Sequence, residues 1–384
     1  MRVAKGDRKV KNEAGKPADA AGWLQEAMQR CRTLAKLFGV EKPFLNAPIP
    51  GLADAELAAA VSQAGGLGVI AAQRLTPEAL RKEIAELRRR TQQPFAVAVE
   101  VPPREPAPAD AAKPLVEGLS ELLVELGLPA DMTSYRLDLH SVVPNLSSLL
   151  EAIIEIQPRA VIAVGGGFRE PEAEALSKAG ILHIGTATNL LEVKVLRAAG
   201  ADAVVLQGSE AAGPQLSFEG ESLAPLGLSA MTAAAAKILG NIPVIASGGI
   251  ASGRQAAGLA MTGAAGFMAG TALLTAAEAR LPALLLAKLR LSSAGDLRTM
   301  RVLCGRPMRV LASPLTEALG DYERALSISY PAPEAVFRPL AEAAVKTGRD
   351  DLVILPAGES VGRSAYRNVR EAITAIAGWV SETH

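Results

Sequence analysis

Aromatic residues make up only 3% of this 384-residue chain, which holds just two cysteines and three histidines. Aromatic stacking is therefore not a main theme of its core or its ligand sites. Cys31 and Cys304 lie far apart with no metal-ligand spacing, which reads as two free buried thiols in a reducing compartment. So few histidines argue against a metal-centred mechanism. An excess of charge is also missing: 40 Lys and Arg balance 40 Asp and Glu, so no net field favours nucleic acid, an anionic membrane or a polyanionic substrate, and no nucleic-acid partner is expected. No apolar run approaches the roughly 20 residues that span a bilayer, and the N-terminus has no apolar signal core, so a cytoplasmic protein is expected. Gly-x-Ser-x-Gly elbows, Walker loops and H-E-x-x-H helices are absent as well.

The chain does have abundant small and aliphatic residues, with 49% hydrophobic residues and 35 glycines, the composition of an α/β core. Residues 1–22 are charged and aperiodic and read as a tail. Leu24, Met28, Cys31, Leu34 and Leu37 then recur at helical spacing, predicting an amphipathic helix over 23–38 that plugs the bottom of a barrel. From Phe44 onward short apolar strands alternate with capped helices, the pattern of βαβ units and a parallel sheet. The expected strands are 44–48, 68–70, 95–99, 160–163, 181–184, 203–206, 243–246 and 266–268. Eight such units predict a TIM (β/α)₈ barrel over 23–275, a fold that takes about 250 residues. A long insertion, 101–157, interrupts the third unit and reads as a lid or a decoration. Residues 276–357 are expected to form a helical subdomain without strand alternation, and 358–384 a C-terminal helix returning to the barrel.

Two successive expected strands end in small residues, Ser247-Gly248-Gly249 and Ala269-Gly270-Thr271. Missing side chains expose backbone N–H groups at helix N-termini, where an anion is favoured. The loops after strands seven and eight are where barrels commonly hold a ligand's phosphate, so a phosphate cradle is predicted there. The sixth strand ends in Gln207, whose amide suits a polar ring edge, and Glu210, which reads as a loop-bracing carboxylate. His183, inside the fifth strand, reads as a core residue more than a base, and His140 lies in the insertion.

The runs Asn46-Ala-Pro-Ile-Pro-Gly51, Leu57-Ala-Ala-Ala-Val-Ser-Gln-Ala-Gly-Gly-Leu-Gly68, Ala199-Gly-Ala-Asp-Ala-Val-Val-Leu-Gln-Gly-Ser-Glu-Ala-Ala-Gly213, Ala246-Ser-Gly-Gly-Ile250, Ala269-Gly-Thr271 and Gly358-Glu-Ser-Val-Gly362 together resemble the nitronate monooxygenase family of FMN-dependent barrels, which also includes quinone and enoyl reductases. The resemblance implies FMN over the barrel mouth, with Ala47, Pro48 and Ile49 beneath its ring and Gln207 near the ring's polar edge. Gly213, Ser247, Gly248, Gly249, Ala269, Gly270 and Thr271 would hold its phosphate. It also implies a small-molecule substrate, oxidation of alkyl nitronates with O2 as electron acceptor and, for reductase relatives, NAD(P)H docking transiently over the flavin.

Three positions depart from the family pattern. Pro214 stands where the family has its active-site histidine, and proline has no proton to give or take. Ala98 stands where an asparagine usually sits near the flavin, and Ala272 where an arginine often follows the Gly-Thr pair. The phosphate half of the site is thus expected intact and the catalytic half altered, with the catalytic residues unassigned. The alternatives are a catalytically impaired accessory barrel that keeps the ligand pocket, an NAD(P)H-dependent quinone or enoyl reductase, and a lyase or synthase acting on a sugar phosphate, which needs a lysine or paired carboxylates at the barrel mouth.

Overall fold

The structure, a computed structural model, describes residues 20–103, 108, 110–131, 145–219, 226–325, 329–363 and 365–380. The charged segment before Ala20, His140 and His384 lie outside the described residues. Eight strands alternate with helices: β1 (Phe44–Asn46), β2 (Gly68–Ala71), β3 (Phe95–Glu100), β4 (Ala160–Val164), β5 (Leu182–Ala187), β6 (Ala203–Gln207), β7 (Val244–Ser247) and β8 (Gly266–Ala269). They form one parallel sheet in the order β1-β8-β7-β6-β5-β4-β3-β2. This is the expected TIM barrel, with strand ends displaced by one to three residues from those read in the sequence.

The helices start where their caps place them. Asp54 accepts from the N–H groups of Glu56 and Leu57, Asn189 from those of Leu191 and Glu192, and Ser252 from that of Gln255. Each cap satisfies N–H groups that have no partner within the helix. Leu34 and Phe38 of the N-terminal helix, Ala20–Phe38, pack with Leu45, Val69, Ile162, Ile184 and Ile245, so this helix closes the bottom of the barrel.

The sheet closes on itself between β1 and β2 through one ladder bridge, Leu45 to Leu67, and one side chain. Asn46, fully buried, accepts from Val69 N at 2.7 Å and donates from Nδ2 to Val69 O at 2.9 Å. Its amide thus stands in for a backbone unit where the ladder has run out.

One expectation needs correcting. The segment after the barrel contains two strands, β9 (Leu297–Met300) and β10 (Met308–Leu311), which form an antiparallel sheet whose third member is Gly213–Pro214 from the loop after β6. Only the two end residues of β9 are buried, so the strand carries no alternation for a sequence reading to detect. The insertion helices Lys113–Gly118 and Ser120–Glu125 share one apolar core with this segment, built from Leu115, Leu119 and Leu123 against Val302, Val310, Leu319 and Leu340.

Replacing Asn46 by Ala leaves both backbone groups of Val69 buried without partners. At about 1–3 kcal/mol for each unsatisfied group, urea denaturation is expected to show a loss of about 3 kcal/mol, far above the effect of an exposed Asn→Ala control.

Candidate active site

Above the C-terminal ends of the strands lies a cavity of about 720 Å³, within the range of roughly 300–1,000 Å³ that holds small ligands and cofactors. Its floor is made of inward-facing strand residues, Ile162, Val164, Thr186, Val205 and Met268. Every residue expected to hold a cofactor lines it: Ala47, Pro48, Ile49, Gln207, Gly213, Ser247, Gly248, Gly249, Ala269, Gly270 and Thr271. These residues come from the ends of β1, β6, β7 and β8 and the loops that follow them.

The loop after β7 owes its shape to glycine. Gly248 has φ +131° and Gly249 φ +65°, and a Cβ on Gly248 would stand 3.0 Å from Ala211 N. Gln255 braces the loop, donating to Gly249 O at 2.9 Å and accepting from Ala251 N at 2.9 Å. The N–H groups of Gly248, Gly249 and Gly270 donate to no partner among the described residues. Three free donors on two strand-end loops, beside the Thr271 hydroxyl, are the makings of an anion site. That hydroxyl accepts from Gly358 N at 3.0 Å and so ties the returning C-terminal segment to the cradle.

The opposite wall is the loop after β6. Gln207 Nε2 donates to the carbonyl oxygens of Ala212 and Pro214, at 3.4 and 3.2 Å, folding the loop back over the strand end. Pro214 lines the cavity and pairs with Met308 in the small sheet, at a strand end where a proline's missing N–H is tolerated. Glu210 braces rather than reacts: its carboxylate accepts from Leu228 N at 2.9 and 3.0 Å, capping the helix Leu228–Leu239. Gln73 Nε2 donates to Pro48 O at 2.8 Å and holds the turn after β1.

Several residues singled out in the sequence lie elsewhere. His183 is buried on β5 next to Asp202, with Nε2 3.7 Å from its carboxylate, and does not line the cavity. Ala98 and Ala272 are fully buried and do not line it either. Ala98 belongs to the barrel interior with Ala96, whereas Phe95, Val97 and Val99 face the helices. Glu100 is the next inward position on β3, and there the strand reaches the cavity.

Glu100 is the chief feature that the sequence reading missed. Tyr330 Oη donates to Glu100 Oε1, Glu334 lines the same cavity, and Arg74 forms an ion pair with Glu334. Burial pushes the Glu100 carboxyl up to about 7; Glu334 adds to the rise, while the Tyr330 hydrogen bond and Arg74 oppose it. Burial, together with the Glu100 and Glu334 charges, holds the Tyr330 phenol well above its ordinary value, so it remains a donor. Cys304 also lines the cavity, but burial raises its thiol to about 12 and leaves it inert. The available signal was the period of two along β3, which puts position 100 on the same face as position 98.

Because folding raises the Glu100 carboxyl from 4.5 to about 7, the folded state holds this proton more tightly than the unfolded chain does. The resulting stability is fully present below about pH 4.5 and is lost as pH rises to 7, about 3 kcal/mol in all. Urea denaturation across pH 4.5–8 is expected to show this loss in the wild type relative to Glu100→Gln, and parallel curves for the two proteins would contradict the assignment.

Among the described residues, no group of three or more His, Cys, Asp or Glu side chains is placed to hold a metal ion, and no helix is long and apolar enough to cross a membrane. The family model for nitronate monooxygenase matches residues 32–376. Nitronate monooxygenase of Paraburkholderia phytofirmans is 35% identical over 253 residues, 64% of this chain and 67% of that protein. A probable nitronate monooxygenase of Staphylococcus aureus is 29% identical over 337 residues, 85% of this chain and 91% of its own length. The solved structure of nitroalkane oxidase from Streptomyces ansochromogenes superposes with a TM-score of 0.79 at 28% identity, covering 91% of this chain and 97% of that one. FabK from Thermotoga maritima shares the fold at a TM-score of 0.70 and 24% identity, covering 91% and 95% of the two chains. With its barrel, its glycine-lined cavity and a family match spanning nearly its whole length, the chain belongs to the nitronate monooxygenase family of oxidoreductases.

Proposed function

We propose that the chain is an FMN-dependent oxidase of small nitro compounds, converting alkyl nitronates with O2 as the electron acceptor. The observation that carries this reading is the convergence of two strand-end loops with free N–H donors and the Ala47–Ile49 turn on a single cavity. The residues fit the cofactor: Gly248, Gly249 and Gly270 offer the donors a phosphate needs, and Ala47, Pro48 and Ile49 offer a flat apolar surface on which a ring can lie. Gln207 supplies a polar edge, and Gly213, Ser247, Ala269 and Thr271 complete the wall around the phosphate end. Bound FMN supplies the two-electron redox chemistry, which none of these side chains has. A nitronate is already an anion, so Pro214 in the histidine's place leaves this oxidation without need of a base.

Purified protein reconstituted with FMN is expected to be yellow and to consume oxygen when an alkyl nitronate is added; a colourless protein overturns the reading. A protein whose flavin is reduced by NAD(P)H but which takes up no oxygen with nitronate is a reductase instead. The cradle has its own test. Charge-assisted N–H bonds from these three donors to the phosphate predict FMN bound at least about 100-fold more tightly than riboflavin, and Gly248→Ala is expected to erase much of that preference in a fluorescence titration.

A further inference from the structure

The carboxyl cluster of Glu100, Tyr330, Glu334 and Arg74 takes no part in the cradle. In the sheet order, β3 lies four strands from β7, diametrically across the eight-stranded barrel. Glu100 therefore faces the glycine loops over the width of the mouth, with the cavity between them. Tyr330 occupies only one of its two oxygens, Oε1; Oε2 has no partner among the described residues.

We infer that Glu100 is the catalytic proton acceptor for neutral nitroalkane substrates, oriented by Tyr330, so that the enzyme generates its own nitronate in the cavity. The inference rests on the nitro-compound reading above and adds a substrate form and a residue to it. In the step, the Glu100 carboxylate removes the hydrogen on the carbon bearing the nitro group. That C–H bond breaks, an O–H bond forms on Oε2, and the electron pair moves onto the nitro group to give the nitronate anion. Nothing is oxidised or reduced, and the proton leaves to solvent when Glu100 ionises again.

Other groups around the cavity do not serve this role. Glu334 is tied to Arg74, Glu342 is exposed, and the Glu210 carboxylate is occupied by Leu228 N. Pro214 carries no proton and His183 lies outside the cavity. A carboxyl titrating near neutrality suits the task, since a general base works best with a pKa near the working pH. Its ionisation is set first by burial and then by the groups that face it, Tyr330, Glu334 and Arg74, with Cys304 and Arg306 beyond Tyr330. Tyr330 is a positioning residue: its hydrogen bond favours the carboxylate, so removing it moves the ionisation to higher pH.

The test follows the proton rather than the electrons. Holoenzyme is mixed anaerobically with nitroethane in D2O, and loss of the hydrogens beside the nitro group is followed by proton NMR across pH 5–9. The expected result is enzyme-dependent exchange that rises with an ionisation near 7, falls at least 100-fold in Glu100→Gln, and shifts to higher pH in Tyr330→Phe. Absence of exchange in the wild type, or full exchange in folded Glu100→Gln, overturns the inference. Should Glu100→Gln not fold, an unmoved profile in Tyr330→Phe overturns it. Oxygen uptake with pre-formed nitronate, measured in parallel, judges the wider reading separately, because it does not require the proton-removal step.

Discussion

Between β1 and β2 the barrel has one ladder bridge, and the Asn46 amide supplies the remaining closure by bonding both backbone groups of Val69. A parallel barrel holds its mouth open to a fixed shape only while every strand is fixed to two neighbours. The strand that Asn46 ends runs directly into Ala47, Pro48 and Ile49, so the side chain that completes the sheet also sets the height of one cavity wall. The cradle stands on the other edge of that strand, where Ala47 N donates to Ala269 O at 2.8 Å. Closure and ligand site are therefore one mechanical unit.

The two halves of the mouth use different physics. Around β7 and β8 the side chains are small or missing, and the loops present free backbone N–H donors with no titratable group among them. Around β3 the protein offers side chains drawn from three distant segments, Arg74, Glu100 and the pair Tyr330 and Glu334, whose charges hold each other in check. Ala98 lies wholly within the barrel packing. One layer higher on the same face stands Glu100.

Local chemistry accounts for how much was legible in the sequence. The barrel strands read as apolar runs because they are buried on both faces, and the cradle read as paired glycine loops because backbone donors need no long-range partner. By contrast, the Asn46–Val69 pair spans 23 residues and the Glu100–Tyr330 contact 230, and no periodicity announces either. The strands β9 and β10 escaped notice because most of what specifies them is their partner strand. Glu100 was overlooked for a related reason. It stands half-buried at the end of an apolar strand, and what singles it out is the Tyr330 hydroxyl, which arrives from the segment after the barrel.

The small antiparallel sheet joins Gly213–Pro214, on the barrel side, to β10 on the side of the later segment. Arg309 Nε adds a bond to Ser209 O at 3.2 Å, and Gln215 N one to Pro307 O at 2.8 Å. A lid swings on a hinge, but this joint is stitched along an edge, and lifting it would break several backbone bonds at once. The joint thus frames one edge of the cavity, and side chains such as Phe337 and Arg338 on the helix Glu334–Thr347 also line it.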